Sequence, residues 1–104
     1  MTSIFKALAD PTRRQVLQML RAGPMGAGAL ADAFDVSKPT MSAHFAVLVA
    51  ADLIEAEKSG RTILYRLKMS VLEDALMGFA QTFGLQVTPE TSVTSARRRA
   101  KEKS

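Results

Sequence analysis

The segment from Ser37 to Ala51 constrains this chain most, because it combines a clear helix start with two faces of opposite character. Ser37 is a favourable N-cap whose hydroxyl can accept the backbone N–H of Thr40, and Pro39 fits the first turn, where its missing N–H has no helical partner. At about 100° per residue, large apolar side chains share one face and small residues share the other. The large residues are Met41, Phe45 and Leu48, and the small face holds Pro39, Ser42, Ala43, Ala46 and Ala50. One face therefore anchors the helix, and the other can approach a second large surface closely.

The chain before this segment predicts three shorter helices. Residues 3–9 form the first, and Asp10 and Pro11 begin the second as its N-cap and first-turn proline. Residues 26–34 form the third, and a short turn leads from it into the cap at Ser37. Apolar residues at helical spacing support these helices: Ile4, Phe5 and Leu8 in the first, Val16, Leu17 and Leu20 in the second, and Ala27, Leu30, Ala31 and Phe34 in the third. Two helices joined by so short a turn make a helix-turn-helix.

After the fourth helix the hydrophobic period changes to the alternation of a β-strand. Residues 55–58 and 61–67 predict two strands joined by a Ser-Gly turn, with Lys58 and Arg61 at the tip of the hairpin. Basic residues at such a tip either keep the turn soluble or neutralise phosphates. A helix-turn-helix followed by a basic-tipped hairpin is the winged-helix arrangement, in which the second helix enters the DNA major groove.

A last helix is predicted after the hairpin. Ser70, with Glu73 three residues later, has the spacing of a capping box. The apolar residues that follow at helical spacing are Leu72, Leu76, Phe79 and Phe83. The predicted fold is therefore mainly α with a small β-hairpin, in the order α-α-α-α-β-β-α. Together with Ile4, Phe5 and Leu8, this stripe exceeds what one small domain easily buries, which predicts a homodimer.

Composition places the chain in one small domain and excludes several classes of site. Residues 1–85 carry a net charge of +1 and residues 86–104 one of +3, so we predict a domain over 1–85 and a basic, disordered tail over 86–104. The absence of cysteine excludes thiolate metal sites and cysteine nucleophiles and fits a reducing cytoplasm. No apolar run approaches the ~20 residues of a membrane span. Because no Ser/His/Asp grouping or phosphate-binding glycine loop is present, the chain is not expected to be an enzyme.

Two motifs resemble the ArsR/SmtB family of bacterial winged-helix repressors. Residues 4–17 are similar to that family's N-terminal signature, and residues 30–48 are similar to its recognition motif. Within the family, the chain most resembles the branch of SdpR-like autorepressors that lack an inducer. The resemblance implies a homodimer that sits on a short palindromic operator and blocks transcription. It also implies a dimer interface made by the first and last helices, here Ile4, Phe5, Leu8, Leu72, Leu76, Phe79 and Phe83.

The chain departs from the family pattern at three places. Gly26 and Gly28 stand where many members carry a metal-binding Cys-x-Cys pair. On the last helix only the adjacent Glu73 and Asp74 are available, and neighbouring helical residues point about 100° apart, so they do not chelate. Val49-Ala50 replaces a usual Arg-Glu pair. We therefore expect no metal and no cofactor.

The predicted function is sequence-specific repression by a homodimer on double-stranded operator DNA, with autoregulation and without a metal inducer. The predicted DNA-binding residues are Ser37, Lys38, Pro39, Thr40, Ser42, Ala43 and Ala46 on the helix and Lys58, Ser59, Gly60 and Arg61 on the hairpin. Lys38, Lys58, Arg61 and one of Arg13 or Arg66 give about four phosphate contacts per protomer, hence a log-log salt slope of roughly −7 for a dimer. His44 is interpreted as a hydrogen-bonded structural residue, in preference to a ligand or base.

Two other functions fit the same pattern. One is a sensor gated by a non-metal effector, held in a pocket between the first and last helices. The other is a protein-interaction module that keeps the fold but binds DNA weakly, which would explain the missing charges at Val49 and Ala50.

Overall fold

The computed structural model of the chain describes residues 3–85, and within that range the chain forms five α-helices and three short β-strands. The order is α1 (Ile4–Leu8), α2 (Pro11–Leu20), β1 (Met25–Gly26), α3 (Ala27–Asp32), α4 (Lys38–Ala50), β2 (Ile54–Ser59), β3 (Thr62–Leu67) and α5 (Met69–Thr82). The chain divides into two compact units, with the boundary after Leu72. The predicted basic tail over 86–104 lies outside the described residues.

Local capping starts the first, second and fourth helices. The hydroxyl of Ser3 accepts the N–H of Phe5 at 3.2 Å, and the hydroxyl of Ser37 accepts that of Thr40 at 3.3 Å. Asp10 accepts two N–H groups through one carboxylate oxygen, from Thr12 at 2.8 Å and from Arg13 at 3.1 Å. The predicted N-caps at Asp10 and Ser37 are therefore confirmed.

The start of α5 differs from the prediction. Ser70 lies inside the helix, which begins at Met69, so the predicted capping box is wrong. The reason is a contact that is distant in sequence, because the N–H of Lys68 donates to the carbonyl of Leu53 at 2.8 Å. That bond fixes Lys68 as the last residue before the helix, and its own carbonyl accepts the N–H of Val71 at 3.1 Å.

The carboxylate of Asp10 adds a pH-dependent contribution to stability. Partial desolvation raises the pKa of Asp10, but the N–H donors of Arg13 and Thr12 and the electrostatic attraction of His44 and Arg13 together outweigh it, so the pKa falls below the ordinary value of 3.8. The stabilisation is therefore present above that value and lost as the pH falls through the lower, folded-state pKa. We expect Asp10→Asn to lower the free energy of unfolding by about 0.5 kcal/mol at pH 7 and by less at pH 2. Urea unfolding at both pH values tests this, with Asp35→Asn as a control for the charge change.

The sheet has three strands in the order β1-β3-β2, where the sequence predicts only the hairpin. Met25 pairs with Tyr65 and Gly26 with Leu64, both antiparallel. A strand of two residues is too short to show an alternating pattern, which is why sequence periodicity misses it. Because Gly26 is in this strand, α3 begins one residue later than predicted, and a Cβ at Gly26 would lie 3.3 Å from the methyl carbon of Thr62.

The hairpin turn is shifted by one residue from its predicted position. Ser59 pairs with Thr62, which leaves Gly60 and Arg61 as the two turn residues. Gly60 has φ = 62°, a left-handed conformation that glycine adopts without a steric penalty. Arg61 therefore lies in the turn. The prediction that it begins the second strand is wrong, because β3 begins at Thr62.

The core of the first unit forms around α4. Met41 and Leu48 are fully buried and Phe45 is 4% exposed, which confirms the predicted anchoring face. The residues that surround them are Ala7, Val16, Leu17, Leu20, Leu30, Ala51, Leu53 and Ile54. In α1 the fully buried residue is Ala7, whereas the larger Phe5 is 44% exposed, so the predicted apolar side of this helix is not its most buried side.

A left-handed residue ends α4. Asp52 has φ = 63°. Its N–H donates to the carbonyl of Val49 at 2.9 Å, and the N–H of Leu53 donates to the carbonyl of Leu48 at 3.1 Å. These two bonds make a Schellman motif, completed by the burial of Leu48 and Leu53 together in the core. Asp52 also accepts a hydrogen bond from the Lys68 ammonium at 2.7 Å, and this bond raises the pKa of Lys68.

Helix α5 carries large apolar side chains at exposed positions. Leu76 is 45% exposed, Phe79 44% and Phe83 66%, and the Phe79 and Phe83 rings lie with their centroids 4.9 Å apart. The predicted apolar stripe therefore lies on a helix but is not fully covered. None of the helices within residues 3–85 combines the length and apolar character needed to cross a bilayer.

Candidate nucleic-acid interface

The recognition face is the exposed side of α4 and its cap. Its members are Ser37, Lys38, Pro39, Thr40, Ser42, Ala43 and Ala46, and all are exposed. The opposite side of the helix is fixed in the core by Met41, Phe45 and Leu48. Because the bulky residues point inward and the outward residues are small, the backbone of α4 can come close to another surface. The side chains with hydrogen-bonding groups are concentrated in the first two turns.

Two hydroxyl groups at the start of α4 bind each other. The Ser37 hydroxyl donates to the hydroxyl oxygen of Thr40 at 2.9 Å while it accepts the Thr40 N–H. The Ser37 hydroxyl thus both donates and accepts a hydrogen bond within the protein. The Thr40 hydroxyl proton is still available to donate to an acceptor outside the protein. The geometry gives Ser37 a capping role and leaves Thr40, Lys38 and Ser42 as the side chains able to reach a ligand.

We expect Ser37→Ala to destabilise the protein by about 1 kcal/mol, because it removes the N-cap and the partner of Thr40. Ser42→Ala is the matched control, since within residues 3–85 its exposed side chain makes no hydrogen bond, and its effect should be within about 0.5 kcal/mol. Thermal or urea unfolding of the two variants measures this. Equal effects of the two substitutions would contradict the assigned capping role.

The wing tip consists of Lys58, Ser59, Gly60 and Arg61. All four residues are exposed, and within residues 3–85 neither Lys58 nor Arg61 has an ion-pair partner. The tight turn therefore holds two unneutralised cations at the far end of the hairpin. At its base, the hairpin is joined to the recognition helix by the rings of Tyr65 and Phe45, whose centroids lie 4.8 Å apart. Burial at this contact raises the pKa of Tyr65.

Arg66, one of the two predicted candidates for a fourth phosphate contact, is paired with carboxylates of the neighbouring strand. It lies opposite Glu55 in the strand register, and its guanidinium is 3.9 Å from the Glu55 carboxylate and 3.3 Å from that of Glu57. Two carboxylates outnumber the single charge, so the local field disfavours a phosphate. Sequence spacing did not show this, because the pairing depends on the register of the two strands.

Arg13 is also committed to the protein itself. Its Nε donates to the carbonyl of Ala7 at 2.8 Å, Nη2 donates to that of Lys6 at 3.1 Å, and Nη1 lies 3.3 Å from Nδ1 of the half-buried His44. Since a guanidinium only donates, the last bond needs Nδ1 to be an acceptor. Arg13 thus links α1, α2 and α4, and the structure gives His44 the hydrogen-bond partner that the sequence predicts.

The two adjacent arginines close the open end of α1. Arg14 donates from Nη1 to the carbonyl of Leu8 at 2.8 Å, next to the carbonyls held by Arg13. Cations at the carboxyl end of a helix satisfy unpaired carbonyls and oppose the negative end of the helix dipole. Sequence reasoning missed this role, although the Arg-Arg pair shortly after a helix end was the available signal. Among the described residues, the predicted phosphate contacts that have neither an ion pair nor a side-chain hydrogen bond are Lys38, Lys58 and Arg61.

The two positions where the family resemblance predicts a metal-binding pair carry no side-chain ligand atoms here. Gly26 caps α3 and Gly28 is exposed in its first turn, and neither has a side chain. Within residues 3–85, no three His, Asp or Glu side chains are grouped so that they could hold a metal ion.

An anchored helix with a small exposed face, preceded by a short helix across a tight turn and followed by a basic-tipped hairpin, defines the winged helix-turn-helix class of DNA-binding proteins. A family model described as a helix-turn-helix domain matches residues 8–57. The transcriptional repressor SdpR of Bacillus subtilis is 42% identical over 76 residues, which cover 73% of this chain and 84% of that protein. This chain belongs to the ArsR/SmtB family of transcriptional repressors, as the resemblance of its motifs predicts.

Other relatives agree with this assignment. The arsenical resistance operon repressor of Staphylococcus xylosus is 34% identical over 73 residues, which cover 70% of each chain. An ArsR-like transcriptional regulator from Rhodococcus sp. RHA1 has a solved structure with a TM-score of 0.68 and 30% identity, covering 96% of this chain and 86% of that one. DNA-binding repression of transcription is therefore the function of the family to which the chain belongs.

Proposed function

We propose that this protein is a homodimeric repressor that binds a palindromic operator in its own promoter and does not use a metal inducer. The observation that carries the proposal is the pairing of an anchored recognition helix, small on its outer face, with a wing tip whose two cations lack partners among the described residues. The recognition face enters the major groove, and Lys58 and Arg61 neutralise phosphates beside it. Thr40 and Ser42 supply the hydroxyl groups that reach the base edges.

The apolar residues of α5 support dimer formation. Leu76, Phe79 and Phe83 are each more than two fifths exposed, a high value for large side chains on one helix. Covering such residues by a second copy is favourable by ~25 cal/mol per Å² of apolar surface. A two-fold dimer presents two recognition helices to consecutive major grooves, which is why a palindromic operator is expected. Ile4, Phe5, Leu8 and Leu72 remain part of the proposed interface.

The proposal that no metal controls the repressor is supported by Gly26 and Gly28, which cannot coordinate an ion. Glu73 and Asp74 are adjacent on α5 and both exposed, so they do not form a chelating pair. Autoregulation rests on the resemblance of the two sequence motifs to the autorepressor branch of the family, and it is the part of the proposal that needs the most direct test.

A gel-shift assay with the protein's own upstream DNA, repeated over a salt series, tests the function. Three phosphate contacts per protomer, six per dimer, give an expected log-log slope of about −5. An unrelated duplex of the same length is the control, and it should bind about a thousandfold more weakly. No shift of the upstream DNA would overturn autoregulation, and no specific binding in a genomic selection would favour a protein-interaction module.

The wing tip should account for most of this salt dependence. We expect the double variant Lys58→Ala/Arg61→Ala to reduce the slope to about −2, because it removes four of the six phosphate contacts of the dimer. Affinity should fall by a similar factor on all sequences, since phosphate contacts carry no sequence information. Arg66→Ala is the matched control on the same hairpin and should leave the slope unchanged. If Arg66→Ala also lowers the slope, its pairing with Glu55 and Glu57 does not persist on DNA.

A further inference from the structure

The single histidine of the chain lies on the recognition helix, beside the first turn of α2. Nη1 of Arg13 is 3.3 Å from Nδ1 of His44. A guanidinium stays protonated and only donates hydrogen bonds, so Nδ1 must be the acceptor. In the neutral imidazole the proton is then on Nε2. Arg13 therefore selects one of the two tautomers of the ring.

Nε2 of His44 is a hydrogen-bond donor that is not used inside the protein. Within residues 3–85 it has no hydrogen-bond partner. In the same part of the chain, no buried side-chain nitrogen or oxygen lacks a partner, so Nε2 is in contact with solvent although the ring is half-buried. The bond from Arg13 limits rotation of the ring. Little side-chain freedom is therefore lost when Nε2 binds an acceptor outside the protein.

The position of His44 on α4 puts this donor at the edge of the recognition face. Thr40 lies one helical turn before His44 and is exposed, and it belongs to that face. The base edges lie inside the major groove, whereas the phosphates of the two strands border it. A donor on the flank of a helix that enters the groove is therefore placed for a phosphate and not for a base.

The charges nearest to the ring compensate one another. The carboxylate of Asp10 interacts electrostatically with both His44 and Arg13. Asp10 thus offsets the positive charge of Arg13, and the neutral imidazole adds no charge of its own. A phosphate at Nε2 would be held by a hydrogen bond and not by an ion pair. Such a contact contributes affinity but leaves the salt dependence of DNA binding unchanged.

We propose that His44 is a further DNA-contacting residue whose Nε2–H donates to a backbone phosphate, and that Arg13 is a positioning residue that holds the ring in the required tautomer. The inference rests on the proposed function, because that function places the recognition face in the major groove. It adds an uncharged phosphate contact to the charged contacts of Lys38, Lys58 and Arg61. Arg13 thus acts on DNA binding through His44 without touching the DNA.

Two substitutions of His44 separate its two ring nitrogens. In His44→Asn the amide oxygen can replace Nδ1 as the acceptor for Arg13, but nothing replaces Nε2. In His44→Gln the amide nitrogen can reach the place of Nε2, but the acceptor for Arg13 is lost. We expect His44→Asn to weaken DNA binding about tenfold for each protomer with an unchanged salt slope, and His44→Gln to recover most of the affinity. Urea unfolding checks that both variants fold.

Nitrogen NMR of the imidazole ring tests the role of Arg13. Because His44 is the only histidine, the full chain without a tag gives a single set of ring signals. At pH 8 we expect a protonated Nε2 and an unprotonated Nδ1 in the free protein, and a shift of the Nε2–H signal when DNA is added. Arg13→Lys should give a mixture of the two tautomers. A loss of stability alone would not change the tautomer of the folded protein.

Four results would overturn the proposal. They are an unchanged affinity of His44→Asn, equal weakening by His44→Asn and His44→Gln, a proton on Nδ1 in the free protein, and a lower salt slope for His44→Asn, which would show that the ring binds as a cation. A phosphate contact does not depend on sequence, so the variants can be compared on any duplex that the unmodified protein binds. If that protein binds no duplex, the proposed function fails. If it binds and one of the four results is found, only this inference fails.

Discussion

Leu76→Glu should convert the protein from a dimer to a monomer and lower its affinity for operator DNA by about a hundredfold or more. Leu76 is 45% exposed on α5, so a carboxylate there is tolerated by a single subunit but opposes burial against a second one. A monomer reaches only one half-site and makes half of the phosphate contacts, so both the affinity and the salt slope fall. Light scattering at micromolar concentration gives the mass, and a gel shift gives the affinity.

Gln81→Glu is the matched control for this prediction. It adds the same charge to the same helix at an exposed polar position, and it should leave both the mass and the affinity unchanged. A dimeric mass for Leu76→Glu, or a monomeric mass for the unmodified protein, would exclude α5 as the proposed dimer surface. Loss of affinity without a change in mass would indicate instead that α5 acts on DNA binding by another route.

Arg13→Ala should destabilise the protein by about 2–3 kcal/mol. The substitution removes charge-assisted hydrogen bonds to the carbonyls of Lys6 and Ala7 and the contact with Nδ1 of His44. Arg13→Lys should recover little of this loss, because one ammonium cannot reproduce a fork that donates in three directions. Urea unfolding measures the effect, and the slope against urea concentration should stay constant if the folded state keeps its compactness.

Arg21→Ala, at the C-cap of the same helix, provides the comparison. Its exposed side chain has no hydrogen bond within residues 3–85, so the expected change is within about 0.5 kcal/mol. Arg13→Ala should also leave the salt slope of operator binding unchanged, because Arg13 is not among the proposed phosphate contacts. A lower slope for the folded variant would return Arg13 to the DNA interface.

The parts of the fold that follow from local chemistry could be predicted from the sequence. Asp10 and Ser37 cap their helices through N–H groups two or three residues away, so their neighbours in the chain are sufficient to identify them. The anchoring residues of α4 follow from one helical period. Ser70 was misassigned because the start of α5 depends on a bond between Lys68 and Leu53, which no local pattern contains.

In the candidate site, too, some features follow from local sequence and others depend on contacts that are distant in sequence. Exposure of the recognition face and the wing tip follows from amphipathic spacing and turn chemistry. The electrostatic partners do not, since Arg66 meets Glu55 and Glu57 across a strand pair and Arg13 meets His44 over a separation of 31 residues. Charge counting therefore overestimated the number of cations that have no partner within the protein. Strand β1 was missed for a related reason, because two residues gain their extended conformation only from pairing with β3.

The alanines on the recognition face have a consequence for how binding specificity can change. Ala43 and Ala46 are exposed, and their replacement by longer polar side chains removes no internal contact that the fold needs. A new operator preference can thus be gained by adding a hydrogen-bonding group, without first losing an old one. On the proposed interface, single substitutions at these positions can change operator preference while the fold is preserved. The sparse outer surface of α4 is in this sense an evolutionary starting point, from which many different DNA sequences are one mutation away.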